Sequence, residues 1–200
     1  PIGIVGGLYH MINNAIYKSA LFMTAGNVEN RTGTTDARKV SGLKKLMPVT
    51  YVCYIFAALA ISGVPPFNGF FSKELVFDAA LEACSCPVFY IGALLGAVMT
   101  AISFLKVGHA VFGGELKLPE GVSEKEQGAP WILRIPMIFF ALFCLFSGLF
   151  NQIPVDDLFG WSLGYTESFA GWPTHALLVV ISIIALLTAL ADHIYGWKKT

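Results

Sequence analysis

Several ionisable side chains stand inside apolar stretches of this chain, and they are of the kinds that take up and release protons. Lys73 and Glu74 close the run Gly63-Val64-Pro65-Pro66-Phe67-Asn68-Gly69-Phe70-Phe71-Ser72. An ionisable group at bilayer depth costs roughly 3 kcal/mol or more, so it normally faces a bundle interior or a water-filled cavity. His10, Asn14 and Lys18 recur at every fourth position, which puts them on one helix face where water can bridge neighbours. Glu74, Asp78 and Glu82 repeat the same spacing and form an acidic face. Lys73 lies off that face, with Val76 and Phe77 one turn ahead, so its counter-charge must come from another helix or another chain. An imidazole, an amide and two amines in apolar helices can form a proton or ion relay. Polar contacts that only glue helices together, or a structural ion pair at Lys73, are the competing accounts.

Such groups need a helical scaffold in lipid. Of 200 residues, 56% are hydrophobic and 13% charged, with a mean hydropathy of +0.67, values that point to an all-α, polytopic membrane helix bundle. The net charge is zero and no basic stripe is present, so a nucleic-acid partner has no electrostatic footprint. Cys53 and Cys144 lie in apolar runs, while Cys84 and Cys86 form a Cys-Ser-Cys. No zinc spacing can be built from them. No phosphate-binding glycine loop, dinucleotide fingerprint, iron–sulfur cysteine run or nucleophile triad occurs. The expectation is a chain with no metal site, no cofactor and no catalytic site of its own. It opens at Pro1 without a charged leader and reads as a piece of something longer.

Apolar runs predict helices over residues 4–25, 48–64, 67–83, 88–112, 131–150 and 175–195. Residues 27–47 read as a basic loop, and 151–173 as an acidic outer segment without a motif. Pro65 and Pro66 each remove a backbone donor and Gly69 loosens the chain, so the second and third runs meet at a break. Non-helical backbone at membrane depth is tolerated only beside protein or water. Charge decides how to count this pair. Taken as one interrupted crossing, it leaves Arg31, Arg38, Lys39, Lys44, Lys45, Lys117, Lys125, Lys198 and Lys199 on one side. Taken as two, it divides those nine five against four. Basic loops stay on the cytoplasmic side, so about five crossings are expected, one of them interrupted near Pro65 and Pro66. Lys106 and His109 lie at the basic end of their helix. They read as a snorkelling pair, with the exit of a proton path as the alternative.

Three stretches carry a resemblance. Leu8 through Phe22, Gly42-Leu43, and Gly63 through Lys73 closely resemble the antiporter-like proton-translocating subunits. That family includes the large membrane-arm subunits of respiratory complex I, their relatives in membrane-bound hydrogenases, and Mrp-type cation/proton antiporter subunits. The resemblance covers about residues 6–112. It implies that Lys73 occupies the lysine position of an interrupted helix, in a row of polar residues along the membrane midplane. His10 and Lys18 match the first histidine and the lysine of the family's other motif. Asn14 stands where a second histidine is expected, and an amide cannot carry a proton by titrating near neutral pH.

The resemblance further implies that residues 1–112 form the second half of an antiporter-like unit, with trailing transmembrane helices over 113–200 and the first half outside these 200 residues. The implied function is proton translocation by a multi-pass subunit of a redox-driven respiratory or hydrogenase complex. Any oxidoreductase activity would belong to that complex. The implied partners are the lipid bilayer, other membrane subunits, and protons or sodium, in a bacterial or archaeal cell membrane or an organelle inner membrane. A sodium/proton exchanger, in which Asp78 and freed carbonyls near Pro65 would offer hard oxygen ligands, and a non-conducting assembly scaffold remain the competing readings.

Overall fold

The computed structural model describes residues 1–83, 88–122 and 129–172, and beyond these 179–180, 183–184, 187–188 and 191. The expected helix over 175–195 falls largely outside the described residues, as do Cys84, Cys86, Lys125, Lys198 and Lys199. The rest is a helical bundle. Helix α1 spans Ile2–Thr32, α2 Pro48–Ser62, α3 Asn68–Ala83, α4 Val88–Phe112 and α5 Trp131–Leu149. A short π-helical segment, Ile153–Gly160, follows α5. Helices α4 and α5 are each long and apolar enough to cross a membrane.

Helix α1 is longer than the apolar run that predicts it. Gly26 is carried within the helix and no proline stands between Ala25 and Gly33, where Gly33 supplies the left-handed turn (φ 68°) that ends the helix on Glu29 O. The added turns are polar in sequence yet buried, at Asn27, Val28, Arg31 and Thr32. Asn27 Nδ2 donates to Met137 Sδ at 3.0 Å and Leu133 O at 3.5 Å on α5, so a stretch that reads as loop is helix held by its neighbour.

The contacts along α1 settle how α2 and α3 cross. Gly3 packs beside Ala79 and Gly6 beside Leu75. His10 meets Ser72, and Asn13 meets Asn68. Further on, Ile16 and Tyr17 share a core cluster with Ala60 and Ile61, and Val28 shares one with Leu43 and Met47. As the position on α1 rises, its partner's number falls continuously through α3 and then α2. A hairpin of α2 and α3 cannot give that order; one interrupted crossing antiparallel to α1 can. Helix α4 then returns to the basic side, where Ser41 and Lys117 form an antiparallel bridge with both backbone bonds at 3.1 Å.

Helix α5 is seated against the break. Tyr9 Oη donates to Ser147 O at 2.6 Å. A Cβ on Gly148 would meet Pro66 O at 2.2 Å and Asn68 N at 2.6 Å, so only glycine lets α5 approach this closely. Past α5 the chain folds back as a strap. Asp156 accepts from Ser168 Oγ, Phe169 N and Ala170 N at 2.5, 2.8 and 3.1 Å, and Asn151 Oδ1 accepts from Gly171 N at 2.8 Å.

Candidate functional site

The site is the gap between α2 and α3. A helix end leaves four carbonyls without intrahelical partners, and three of those of α2 can be followed one by one. Gly63, in the left-handed region at φ 80°, donates to Ala60 O at 3.0 Å, and Val64 N reaches Leu59 O at 3.0 Å, a Schellman-type closure. Ile61 O receives the Lys73 amine at 2.7 Å. The lysine on α3 thus reaches back across the break and caps α2. A Cβ on Gly63 would come within 2.9 Å of Lys73 Cδ, so the glycine also makes room for the side chain. The carbonyl end of a helix carries roughly half a negative charge, worth about 0.3–1 kcal/mol to a nearby cation and up to ~2 in partly buried geometry. The end of α2, a separate helix from the one that carries Lys73, therefore supplies its counter-charge.

Beside the cap, His10 Nδ1 and Ser72 Oγ share a hydrogen bond of 3.0 Å. Ser72 Oγ also donates to Gly69 O at 3.3 Å. A hydroxyl has one hydrogen; when it is given to Gly69, Nδ1 is the donor and Nε2 is left able to accept a proton. Ser72 directly precedes Lys73 in α3, so the imidazole is bonded to the turn that carries the lysine. One turn along α1, Asn13 and Asn68 are fully buried and pair directly. Asn68 Nδ2 donates to Asn13 Oδ1 at 2.8 Å, and Asn13 Nδ2 to Asn68 O at 3.3 Å. This amide clamp fixes the start of α3, and so the register of Ser72 and Lys73, against α1.

The structure thus brings His10, Ser72 and Lys73 together around a break lined by Pro65, Pro66 and Gly69. The remaining residues singled out in the sequence are placed differently. Asn14 Nδ2 donates to Tyr17 Oη at 3.1 Å. Lys18 is exposed in a groove of about 530 Å³ that Leu21, Phe22 and Glu29 also line. Glu74 and Asp78 are buried on another face of α3 and line a cavity of about 130 Å³ beneath the strap, closed by Ser168, Phe169 and Trp172. Glu82 is exposed. Lys106 is exposed on α4, while His109 lines the basic end of a groove between α2 and α4. Ser72, Asn13, Asn68 and the Ile61 carbonyl were not foreseen as parts of the site. The only sequence signal for the two amides was their placement within apolar runs.

The family model described as NADH:quinone oxidoreductase/Mrp antiporter, TM, matches residues 2–102, which include α1, the break, α3 and most of α4. The chain belongs to this family. It is 37% identical over 159 residues to a Na(+)/H(+) antiporter subunit of Alkalihalophilus pseudofirmus, covering 75% of this chain and 20% of that protein. It is 32% identical over 167 residues to a Na(+)/H(+) antiporter subunit of Staphylococcus haemolyticus, covering 77% and 21%. The chain therefore spans about a fifth of the length of these relatives. Among solved structures it is similar to a chain of the membrane-bound sulfane sulfur reductase, an archaeal respiratory membrane complex, with a TM-score of 0.76 and 25% identity over 97% of this chain and 33% of that one. A chain of the Mrp complex from Dietzia sp. shares the fold, with a TM-score of 0.69 and 24% identity over 80% of this chain and 38% of that one. This family member is a multi-pass helical membrane protein of the antiporter-like subunit type.

Proposed function

We propose that this chain is the later half of an ion-translocating subunit, and that protons cross the interrupted helix by way of Lys73. The observation that carries the reading is the Lys73 amine resting on Ile61 O, with His10 reached through the adjoining Ser72. The ammonium gives Ile61 O one of its three hydrogens and can pass on another without leaving the carbonyl, so the break holds the amine in place while it is loaded and unloaded. A change of charge nearby shifts this balance, because like charges repel through low-dielectric protein. A neighbouring subunit can thereby drive Lys73 electrostatically. Residues 1–112 form the half-unit in this reading, residues 113–200 add trailing helices, and the host is a bacterial or archaeal cell-membrane complex.

Sodium/proton exchange is the second reading. It is favoured by the Glu74 and Asp78 carboxylates facing one small cavity and by the sodium/proton antiporter names of the relatives.

The test is transport by the complete parent complex in proteoliposomes, wild type against Lys73→Met, with and without sodium. Proton uptake is expected to fall to background in the variant while the complex stays assembled. A sodium requirement in the wild type shifts the conclusion to exchange. Unchanged uptake in the variant overturns the Lys73 reading and leaves a structural role for that residue at the break.

A further inference from the structure

The transport reading joins His10 to Lys73 and leaves Lys18 apart from both. Lys18 stands eight residues along α1 from His10, about 12 Å at the helical rise and beyond the reach of one hydrogen bond. Of the side chains between them, only Tyr17 carries a hydroxyl. A hydroxyl accepts and donates at one oxygen, so it can take a proton on one side and give its own hydrogen on the other; a side-chain amide accepts at oxygen and donates at nitrogen.

The fold puts that hydroxyl in the gap. Tyr17 is 1% exposed, and its ring lies in one core cluster with Ala60, Ile61 and Cys144, of which Ile61 is the residue whose carbonyl receives the Lys73 amine. Long side chains on a helix lean toward its N-terminus, and Tyr17 does so, because its Oη accepts from Asn14 Nδ2 at 3.1 Å, three residues back. Asn14 is one turn from His10 and one turn from Lys18, on the face that both share. The amide therefore holds the hydroxyl at a level between the imidazole and the amine. Its bond fills one acceptor place on the phenol oxygen and leaves the hydroxyl hydrogen to be given elsewhere.

We propose that Tyr17 passes protons between Lys18 and His10, and that Asn14 positions it to do so. A proton from the Lys18 side, carried by a bridging water, binds the phenol oxygen as the hydroxyl hydrogen leaves toward Nε2 of His10. One O–H bond forms and one breaks in a single movement, so no charge is stranded in the core, where it would be costly. Rotation about the C–O bond then resets the hydroxyl. His10 is already bonded through Ser72 to the turn of Lys73, which completes a route along α1 from Lys18 to the break.

This inference rests on the transport reading, and the experiment keeps the two apart. Proton uptake by the parent complex in proteoliposomes is compared for wild type, Tyr17→Phe, Tyr17→Phe with Asn14→His, and Lys73→Met. Tyr17→Phe deletes one oxygen and keeps the ring in its cluster, so the complex is expected to assemble. Uptake is expected to fall by about tenfold or more, against the roughly hundredfold and upward that a positioned proton carrier contributes. An imidazole at position 14 can carry the proton itself, since it titrates near neutral pH, and Asn14→His is therefore expected to bring Tyr17→Phe back to within about threefold of wild type. A packing role gives a different pattern, an earlier melting temperature with uptake unchanged and nothing for the imidazole to restore. Unchanged uptake in Tyr17→Phe overturns the proposal, as does a loss that Asn14→His fails to restore in assembled complex. Either result beside an inactive Lys73→Met removes the Tyr17 step alone; normal uptake in Lys73→Met removes the transport reading and this step with it.

Discussion

At the residue scale, Lys73 does two jobs, and the structure allows them to be separated. Its amine satisfies Ile61 O, so Lys73→Met should cost stability as well as transport, by about the 1–3 kcal/mol of an orphaned buried acceptor. Ser72→Ala removes only the hydroxyl that links His10 to the lysine turn. Its expected effect is a several-fold fall in transport rate with melting temperature nearly unchanged, since one such bond is worth about 1 kcal/mol net. Measuring both quantities on both variants distinguishes relay from scaffold: a Ser72→Ala protein that melts early but transports normally argues for packing alone. The amide clamp gives a cleaner thermodynamic test. Asn13→Leu strands the Asn68 amide in a buried site and is expected to lower stability by about 1–3 kcal/mol, whereas Asn13→Leu with Asn68→Leu should recover part of that loss. His10 and Lys73 were visible in the sequence because a charge in an apolar run is conspicuous. Ser72 and the two asparagines were not, because their meaning depends on which residue of a distant helix they meet.

At the scale of elements, the break is a backbone object. A Cβ on Gly69 would lie 1.8 Å from Ala60 O, and one on Gly148 would lie 2.2 Å from Pro66 O. Both obstacles are backbone, which cannot rotate away, so Gly69→Ala and Gly148→Ala are expected to destabilise by several kcal/mol, at the upper end for point changes. Loss of assembled complex on native gels is the measurement, and normal yield of either variant contradicts the packing described here. Pro65, Pro66 and Gly69 announced the break, and the α4 range was legible because its apolar run is uninterrupted. The last turns of α1 were not legible, since polar residues there are buried by α5. The strap over 151–172 was missed for the opposite reason: Asp156 organises it through bonds to residues twelve to fourteen positions later, which no local spacing reveals. A local loop device is testable by pH. Hydrogen bonds from Arg38 hold the Asp36 carboxyl down at about 2, from an ordinary 3.8. A lowered carboxylate contributes its stability above the unfolded value and loses it as pH falls through the folded one. Amide exchange over residues 36–40, corrected for intrinsic rates, should therefore hold steady down to about pH 4, and Arg38→Ala should move the loosening upward.

At the scale of the whole molecule, the question is how many times the chain crosses, because that decides which face each charged group can reach. The charge count required α2 and α3 to act as one crossing, and the order of contacts along α1 gives the same answer by geometry. If they crossed separately, residues 41 and 117 would lie on opposite sides of the membrane. Instead Ser41 N and Lys117 N each donate to the other residue's carbonyl at 3.1 Å, the signature of a hydrogen-bonded antiparallel pair with Cα atoms about 5.5 Å apart. That separation falls within the range a disulfide can span, roughly 4.4–6.8 Å. Ser41→Cys with Lys117→Cys, built into the full-length subunit with its native cysteines replaced, is therefore expected to cross-link under mild oxidant. Each single variant should react with a membrane-impermeant thiol reagent from the cytoplasmic face only. Labelling of the two positions from opposite faces would show that the break separates two crossings. It would also remove the basis for placing Lys73 between the two sides, because a break that joins two complete crossings lies at the opposite membrane face and takes Lys73 there with it.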